Sequence, residues 1–116
     1  MKSKLSHIEI NVGNYAQSIR FYDLVLTPVG WTRFLCTKTH TVYCDGLVKL
    51  ILSPTEDRFI AHGFHRKKIG LNHLAFYVNS KDEVIDYYEN VLKRNNISTL
   101  YQEGPFGDDD YFSVLF

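Results

Sequence analysis

One phrase occurs twice in this chain. LSHIEINV (residues 5–12) and LNHLAFYV (71–78) stand 66 residues apart, each with a histidine at its third position. Sliding the sequence along itself by 66 brings Leu5, His7, Val12, Ile19, Tyr22, Val25 and Leu26 onto Leu71, His73, Val78, Ile85, Tyr88, Val91 and Leu92 with no gap. Phe21 also meets Tyr87, and Asp23 meets Glu89. Seven identities in 22 positions exceed what two unrelated amphipathic patterns share. A repeat of this kind constrains the fold strongly, because each copy is one supersecondary unit that has to cover its own apolar face.

Both copies read alike. In the first, His7, Glu9 and Asn11 alternate with Ile8, Ile10 and Val12, the period of a half-buried strand. In the second, His73, Ala75 and Tyr77 share a face opposite Leu74, Phe76 and Val78. A helix is expected after each strand. Asn14 with Gln17, and Ser80 with Glu83, have the spacing of helix-capping pairs. Tyr15, Ile19, Tyr22 and Leu26 form one apolar stripe, and Val84, Tyr88 and Val91 form its counterpart. Thr27-Pro28 and Gly30 stop the first helix, and Asn95-Asn96 the second.

Three β-like runs follow the first helix: WTRFLCT (31–37), HTVYC (40–44) and LVKLILS (47–53), with Asp45-Gly46 as the hairpin signal between the last two. The first unit is therefore βαβββ. After the second helix come ISTLYQ (97–102) and YFSVLF (111–116). The segmentation is a first module over about 4–53, a linker over about 54–69 with a short helix in it, and a second module over about 70–116. In the first module LVKLILS is expected to pair with the opening strand. The repeat asks for an equivalent partner beside LNHLAFYV, and the expectation is a further strand beyond Phe116 or else a strand of a neighbouring chain, because each unpaired buried backbone group costs roughly 1–3 kcal/mol.

At 116 residues, 45% apolar and 22% charged, the chain is most simply one soluble domain. Zero formal net charge speaks against nucleic acid or an anionic membrane as partner, since both need a basic surface. MKSKLSHIEI has no apolar leader core, so a cytoplasmic protein is expected. Cys36 and Cys44 lack CxxC spacing and are expected as buried free thiols.

The phrases SHIEINVGNYAQSIRFYDLVL, LVKLILSP, FHRKKIGLNHLAFYVNSKDEVIDYYENVL and DDDYFSVLF together resemble the vicinal oxygen chelate superfamily, the group of glyoxalases, bleomycin-resistance proteins and extradiol dioxygenases. The resemblance implies an α+β fold in which two βαβββ modules form a cupped mixed sheet with helices outside. It implies a divalent metal (Zn, Ni, Fe, Co or Mn) inside the cup, with His7 and His73 as ligands and substrate oxygens bound to it. A homodimer and a small-molecule substrate or ligand are implied in the same way.

Two family features are not matched. Where the resemblance would put a carboxylate ligand on LVKLILS, this chain has Ile51, and neither face of that run offers a carboxylate, imidazole or thiolate. The remaining family ligand lies on the last strand of the second unit, beyond this sequence. Glu9 is the candidate acid, either as a third ligand or as a pocket acid pairing with a neighbour such as Lys49. Asn11, Lys49, Ile51 and Tyr77 are candidate substrate contacts. HRKK (65–68) reads as a solvated loop or a basic rim. GPFGDDDY (104–111) reads as a turn, lacking calcium-loop spacing. His40 and His62 read as surface residues. The expected function is a metal-dependent glyoxalase-like lyase or isomerase. The alternative is a metal-free binding protein, and a third reading is an extradiol-type dioxygenase.

Overall fold

Strand β1, His7–Val12, shows the alternation read from the sequence: His7, Glu9 and Asn11 are exposed, while Ile8, Ile10 and Val12 are half-buried. The computed structural model describes residues 1–116. They divide into two units, Met1–Leu74 and Ala75–Phe116.

In the first unit β1 leads into helix α1, Tyr15–Leu26. The Asn14 side chain accepts the Gln17 backbone N–H at 3.1 Å, satisfying one of the donors a helix start leaves free. A 3-10 turn, Thr27–Val29, closes the helix, and Gly30 sits in the left-handed region at φ 86°. A residue without Cβ adopts that conformation at no steric cost. Strands β2 (Thr32–Cys36), β3 (Thr41–Cys44) and β4 (Lys49–Pro54) follow. Asp45 Oδ1 holds the β3–β4 turn by accepting the N–H groups of Leu47 and Val48, both at 2.8 Å.

The sheet order is β1-β4-β3-β2. β1 and β4 run parallel, with His7 opposite Lys49, Glu9 opposite Ile51 and Asn11 opposite Ser53. The other two pairings are antiparallel, and a bulge shifts the β2–β3 register between Arg33 and Leu35. One face of the sheet carries Leu50, Leu52, Tyr43 and Thr41, all essentially buried, together with Val25 and Leu26 of α1. The Tyr43 hydroxyl lies 2.9 Å from Asp23 Oδ1 and 3.1 Å from the Ile19 carbonyl, both on α1. Asp23 also meets Arg33 Nε at 3.3 Å, so sheet and helix are tied by a polar contact at the solvent-exposed edge of the apolar layer. A short helix α2, Asp57–Ile60, interrupts the linker.

The second unit repeats the helix in detail. Ser80 Oγ accepts the Glu83 N–H at 3.2 Å, the bond that Asn14 makes to Gln17 66 residues earlier. Helix α3, Lys81–Tyr87, continues through a π turn, Tyr88–Leu92, into a 3-10 turn, Lys93–Asn95, and Asn96 takes the left-handed conformation at φ 55°. Trp31 N–H bonds Leu26 O at 3.2 Å, and Ile97 N–H bonds Leu92 O at 2.9 Å, again 66 apart. Tyr88, Val91 and Leu92 form this unit's core.

Four sequence expectations fail here. Residues 71–78 join no strand ladder, so the second histidine-bearing phrase is not a β-strand. Alternation alone does not make a strand: β1 is one because β4 supplies its hydrogen bonds, and no described segment does this for 71–78. ISTLYQ forms no strand either, although Leu100 N–H bonds Leu115 O at 2.8 Å. Only Phe112–Ser113 (β6) of YFSVLF is paired, with Phe106–Gly107 (β5) inside the segment read as a turn. The cysteines are free as expected but not buried: Cys36 is exposed and Cys44 half-buried, because the open sheet face and the β2 edge are uncovered there.

Two outcomes follow from the first unit's core. Leu52 is fully buried, so Leu52→Ala should cost about 2–5 kcal/mol in a urea titration. Burial, then the hydrogen bond to Asp23, pushes the Tyr43 phenol well above its ordinary 10.0. The folded state keeps this tyrosine neutral at a pH where the unfolded chain ionises it. That contribution is intact below pH 10.0 and is lost as the pH rises from there through the folded pKa. Thermal stability should fall steeply above that pH, and less steeply in Tyr43→Phe. Some slope should remain, because burial also raises Tyr22 and Tyr87.

Candidate functional site

The face of the first sheet opposite α1 collects the chemistry. Parallel register places His7 beside Lys49, Glu9 beside Ile51 and Asn11 beside Ser53. Period-two alternation then sends all six side chains to one side, while Leu50 and Leu52 go to the other. Val42, opposite Ile51, and Cys44, opposite Lys49, extend the same face along β3.

Glu9 is the only carboxylate on this face, and its partner is Ser53, whose hydroxyl donates to Glu9 Oε1 at 2.6 Å. Hydroxyl-to-carboxylate bonds of this length are the stronger, charge-assisted kind. The pairing of Glu9 with Lys49 that the sequence suggested is not formed, since Lys49 enters none of the four ion pairs in the structure. Its ammonium instead lies 5.9 Å from the centroid of the Phe34 ring. Ser53 was missed as a site residue. Its signal was available: the alternation that puts Lys49 and Ile51 on one face reaches Ser53 at the next step. Phe34 was not readable in this way, because the bulge beside it shifts the β2 register.

The two repeat histidines lie in different settings. His7 is exposed on β1, with Nδ1 3.2 Å from Ser6 Oγ. His73 is exposed in the strandless segment 71–78, with Nδ1 2.8 Å from Asn72 Oδ1. No three or more His, Cys, Asp or Glu side chains gather where they could hold a metal ion. Tyr77, in the second unit, is fully exposed and lies on no strand.

Other motifs have structural explanations. In the HRKK segment Lys68 N–H bonds His65 O at 2.9 Å, closing an exposed turn. Asp108 Oδ1 accepts the N–H groups of Asp110 and Tyr111 at 2.9 and 3.0 Å. Those bonds, the one to Tyr111 foremost, hold its carboxyl below the usual carboxylate range. Asp109 pairs with Lys81. The aspartates thus shape the β5–β6 turn. His40 is held in a turn by Thr37 and Thr39, and His62 is exposed after α2. A cavity of about 470 Å³ in the second unit is lined by Tyr88, Lys93, Ile97, Thr99 and Glu103, among others. Its charged groups already have partners, Lys93 with Glu89 and Glu103 with the Tyr88 hydroxyl.

Ile51 offers a direct check on this geometry. It stands opposite Glu9 and one register step from His7, so Ile51→Glu creates a set of two carboxylates and one imidazole on the open face. Calorimetric titration with Zn or Ni should show affinity raised at least about tenfold over the unsubstituted protein, as expected for a site gaining a third ligand. Equal affinities would mean that these side chains do not converge.

No family model matches the chain. Over 113 residues, 96% of its length, it is 29% identical to YqjT of Bacillus subtilis (strain 168), an uncharacterised protein of which it covers 88%. A solved structure from Bacillus halodurans, described as a "putative glyoxalase", matches with a TM-score of 0.78 and 39% identity, over 84% of this chain and 72% of that one. With that identity over that share of both chains, and with a βαβββ first unit whose opening strand bears the repeated histidine, the chain belongs to the glyoxalase-like proteins of the vicinal oxygen chelate superfamily.

Proposed function

We propose that the protein is a glyoxalase-like lyase or isomerase that works on a small oxygen-bearing molecule lying over the open face of β1 and β4. Glu9 is the group that takes and returns the proton. One observation carries this reading. Glu9 is an exposed carboxylate that no cation neutralises, and Ser53 holds one of its oxygens. The other oxygen is free to accept a proton from a carbon next to a carbonyl and to deliver it to the neighbouring carbon. A positioned carboxylate used in this way contributes typically 10²–10⁴-fold in rate. His7 and Asn11, on the same strand and face, supply hydrogen bonds to the substrate's oxygens.

The divalent metal that the superfamily implies does not find a complete site among these residues. His7 and His73 are exposed imidazoles in different settings, the position opposite Glu9 is the apolar Ile51, and no three His, Cys, Asp or Glu side chains gather. The same feature favours a second reading, a metal-free protein that sequesters a small molecule on this face as bleomycin-resistance relatives do.

Metal analysis of protein purified without a chelating tag separates the two. About one equivalent of metal, lost in His73→Ala with folding retained, supports the lyase or isomerase. No metal in a folded protein, none taken up from added Zn, Ni, Fe, Co or Mn, and no exchange of a bound carbonyl compound's carbon-linked proton into heavy water leaves the binding protein.

A further inference from the structure

We infer that the open-face site selects substrates carrying an anionic group, a carboxylate or its equivalent, and that Lys49 is the residue that selects them. The inference rests on the open-face site proposed above and adds to it the charge class of the substrate.

The four strands of the first unit carry two cations, Arg33 and Lys49. They differ in use. Arg33 stands opposite Tyr43 and spends its charge on Asp23 of α1, at 3.3 Å, on the covered side of the sheet. Lys49 stands on the open side, exposed, and no carboxylate claims it. The one carboxylate within reach along this face, Glu9, is turned to Ser53, at the far end of β4 from Lys49.

Lys49 sits on β4, yet its ammonium lies 5.9 Å from the Phe34 ring on β2, two strands away in the sheet order. The two side chains therefore approach each other over β3, and Lys49 stays exposed. The face is polarised as a result. An unneutralised cation backed by an aromatic ring lies toward β2, and a carboxylate lies on β1. Between them lies half-buried Ile51, the apolar residue of this floor, with Val42 beside it on β3 already buried. By strand spacing, β1 and β2 are roughly 14 Å apart across this face, the span of a small organic molecule plus two side chains.

A ligand that fits has an anionic group for Lys49, an apolar or flat body for Ile51, and an exchangeable proton or hydrogen-bond donor for Glu9. A neutral ligand would leave the ammonium unpaired, and a cationic one would be repelled from it. The anionic group also orients the substrate. Pairing with Lys49 directs the uncharged end toward Glu9, whereas the reverse orientation puts two negative charges together.

The test uses benzoate, with neutral benzamide as its match in shape. Both are titrated into the full chain and followed by amide chemical shifts, in the unsubstituted protein, Lys49→Gln and Lys49→Arg. Benzoate should perturb β3, β4 and Phe34 and bind at least about tenfold more weakly to Lys49→Gln. Lys49→Arg, which keeps the charge, should bind within about threefold of the unsubstituted protein. Benzamide should bind all three equally and weakly. Benzoate binding that ignores Lys49→Gln overturns the inference, as do shifts confined to residues 65–68, equal binding of benzamide, or no benzoate binding at millimolar concentration. Charge-selective binding by a protein that proves to hold no metal and exchanges no carbon-linked proton would sink the lyase reading and keep this one. A metal-bearing protein indifferent to charge would do the reverse.

Discussion

The parallel pairing of β1 with β4 is the constraint from which the first unit follows. Antiparallel neighbours can be joined by a tight turn, but a parallel pair needs a long connection that returns the chain to its starting edge. Here α1 and the β2–β3 hairpin supply it, and both lie between β1 and β4 in sequence. Having made the detour, the chain can bury Leu50 and Leu52 against α1, and Tyr43 adds its contact with Asp23. The same pairing sets the register, and the register gathers His7, Lys49, Glu9, Ile51, Asn11 and Ser53 on the opposite face. A slip of one residue would exchange the two faces, placing Leu50 and Leu52 among the polar groups and Lys49 under the helix. Core and candidate site are therefore two sides of one hydrogen-bond ladder.

The second unit shows the same sequence logic without that ladder. Its helix keeps the cap, the 3-10 closure and the left-handed residue of the first, bond for bond at an offset of 66. These features are local, so a local repeat is enough to reproduce them. Residues 71–78 depend on a partner strand and have none among the described residues. The helix itself departs from its counterpart in one respect, a π turn over Tyr88–Leu92 where α1 stays regular. Gly104 packs close to Tyr88 in this stretch: a Cβ there would lie 3.3 Å from the tyrosine ring. Tyr88 is buried there, whereas its counterpart in the first unit, Tyr22, is half-buried.

For the site, the arrangement separates charge rather than pairing it. A surface lysine and glutamate on adjacent strands commonly form an ion pair worth little. Here Ser53 holds Glu9 and Phe34 underlies Lys49, so both charges remain available to a third party. This is what a site for a polar small molecule requires, whether it carries out a proton transfer or only retains its ligand.

Several elements were decided by the sequence alone. The βαβββ order of the first unit, both helix caps, the Asp45-Gly46 turn and the placing of His7, Glu9 and Asn11 on one face all depend on contacts within a few residues or on strand periodicity. The gapless repeat likewise showed in advance that the second helix would start and stop as the first does. Membership in the glyoxalase-like group was also visible in the residues, because the repeat, the histidines and the strand order coincide. The tertiary structure alone decided what depends on distant partners. It gave Glu9 to Ser53 rather than Lys49, brought the Lys49 ammonium to Phe34 at the bulge of β2, and left 71–78 outside any sheet. Periodicity tells which way a side chain points; which of several neighbours it reaches is settled by inter-strand register and bulges, and these are set only when strands far apart in sequence meet.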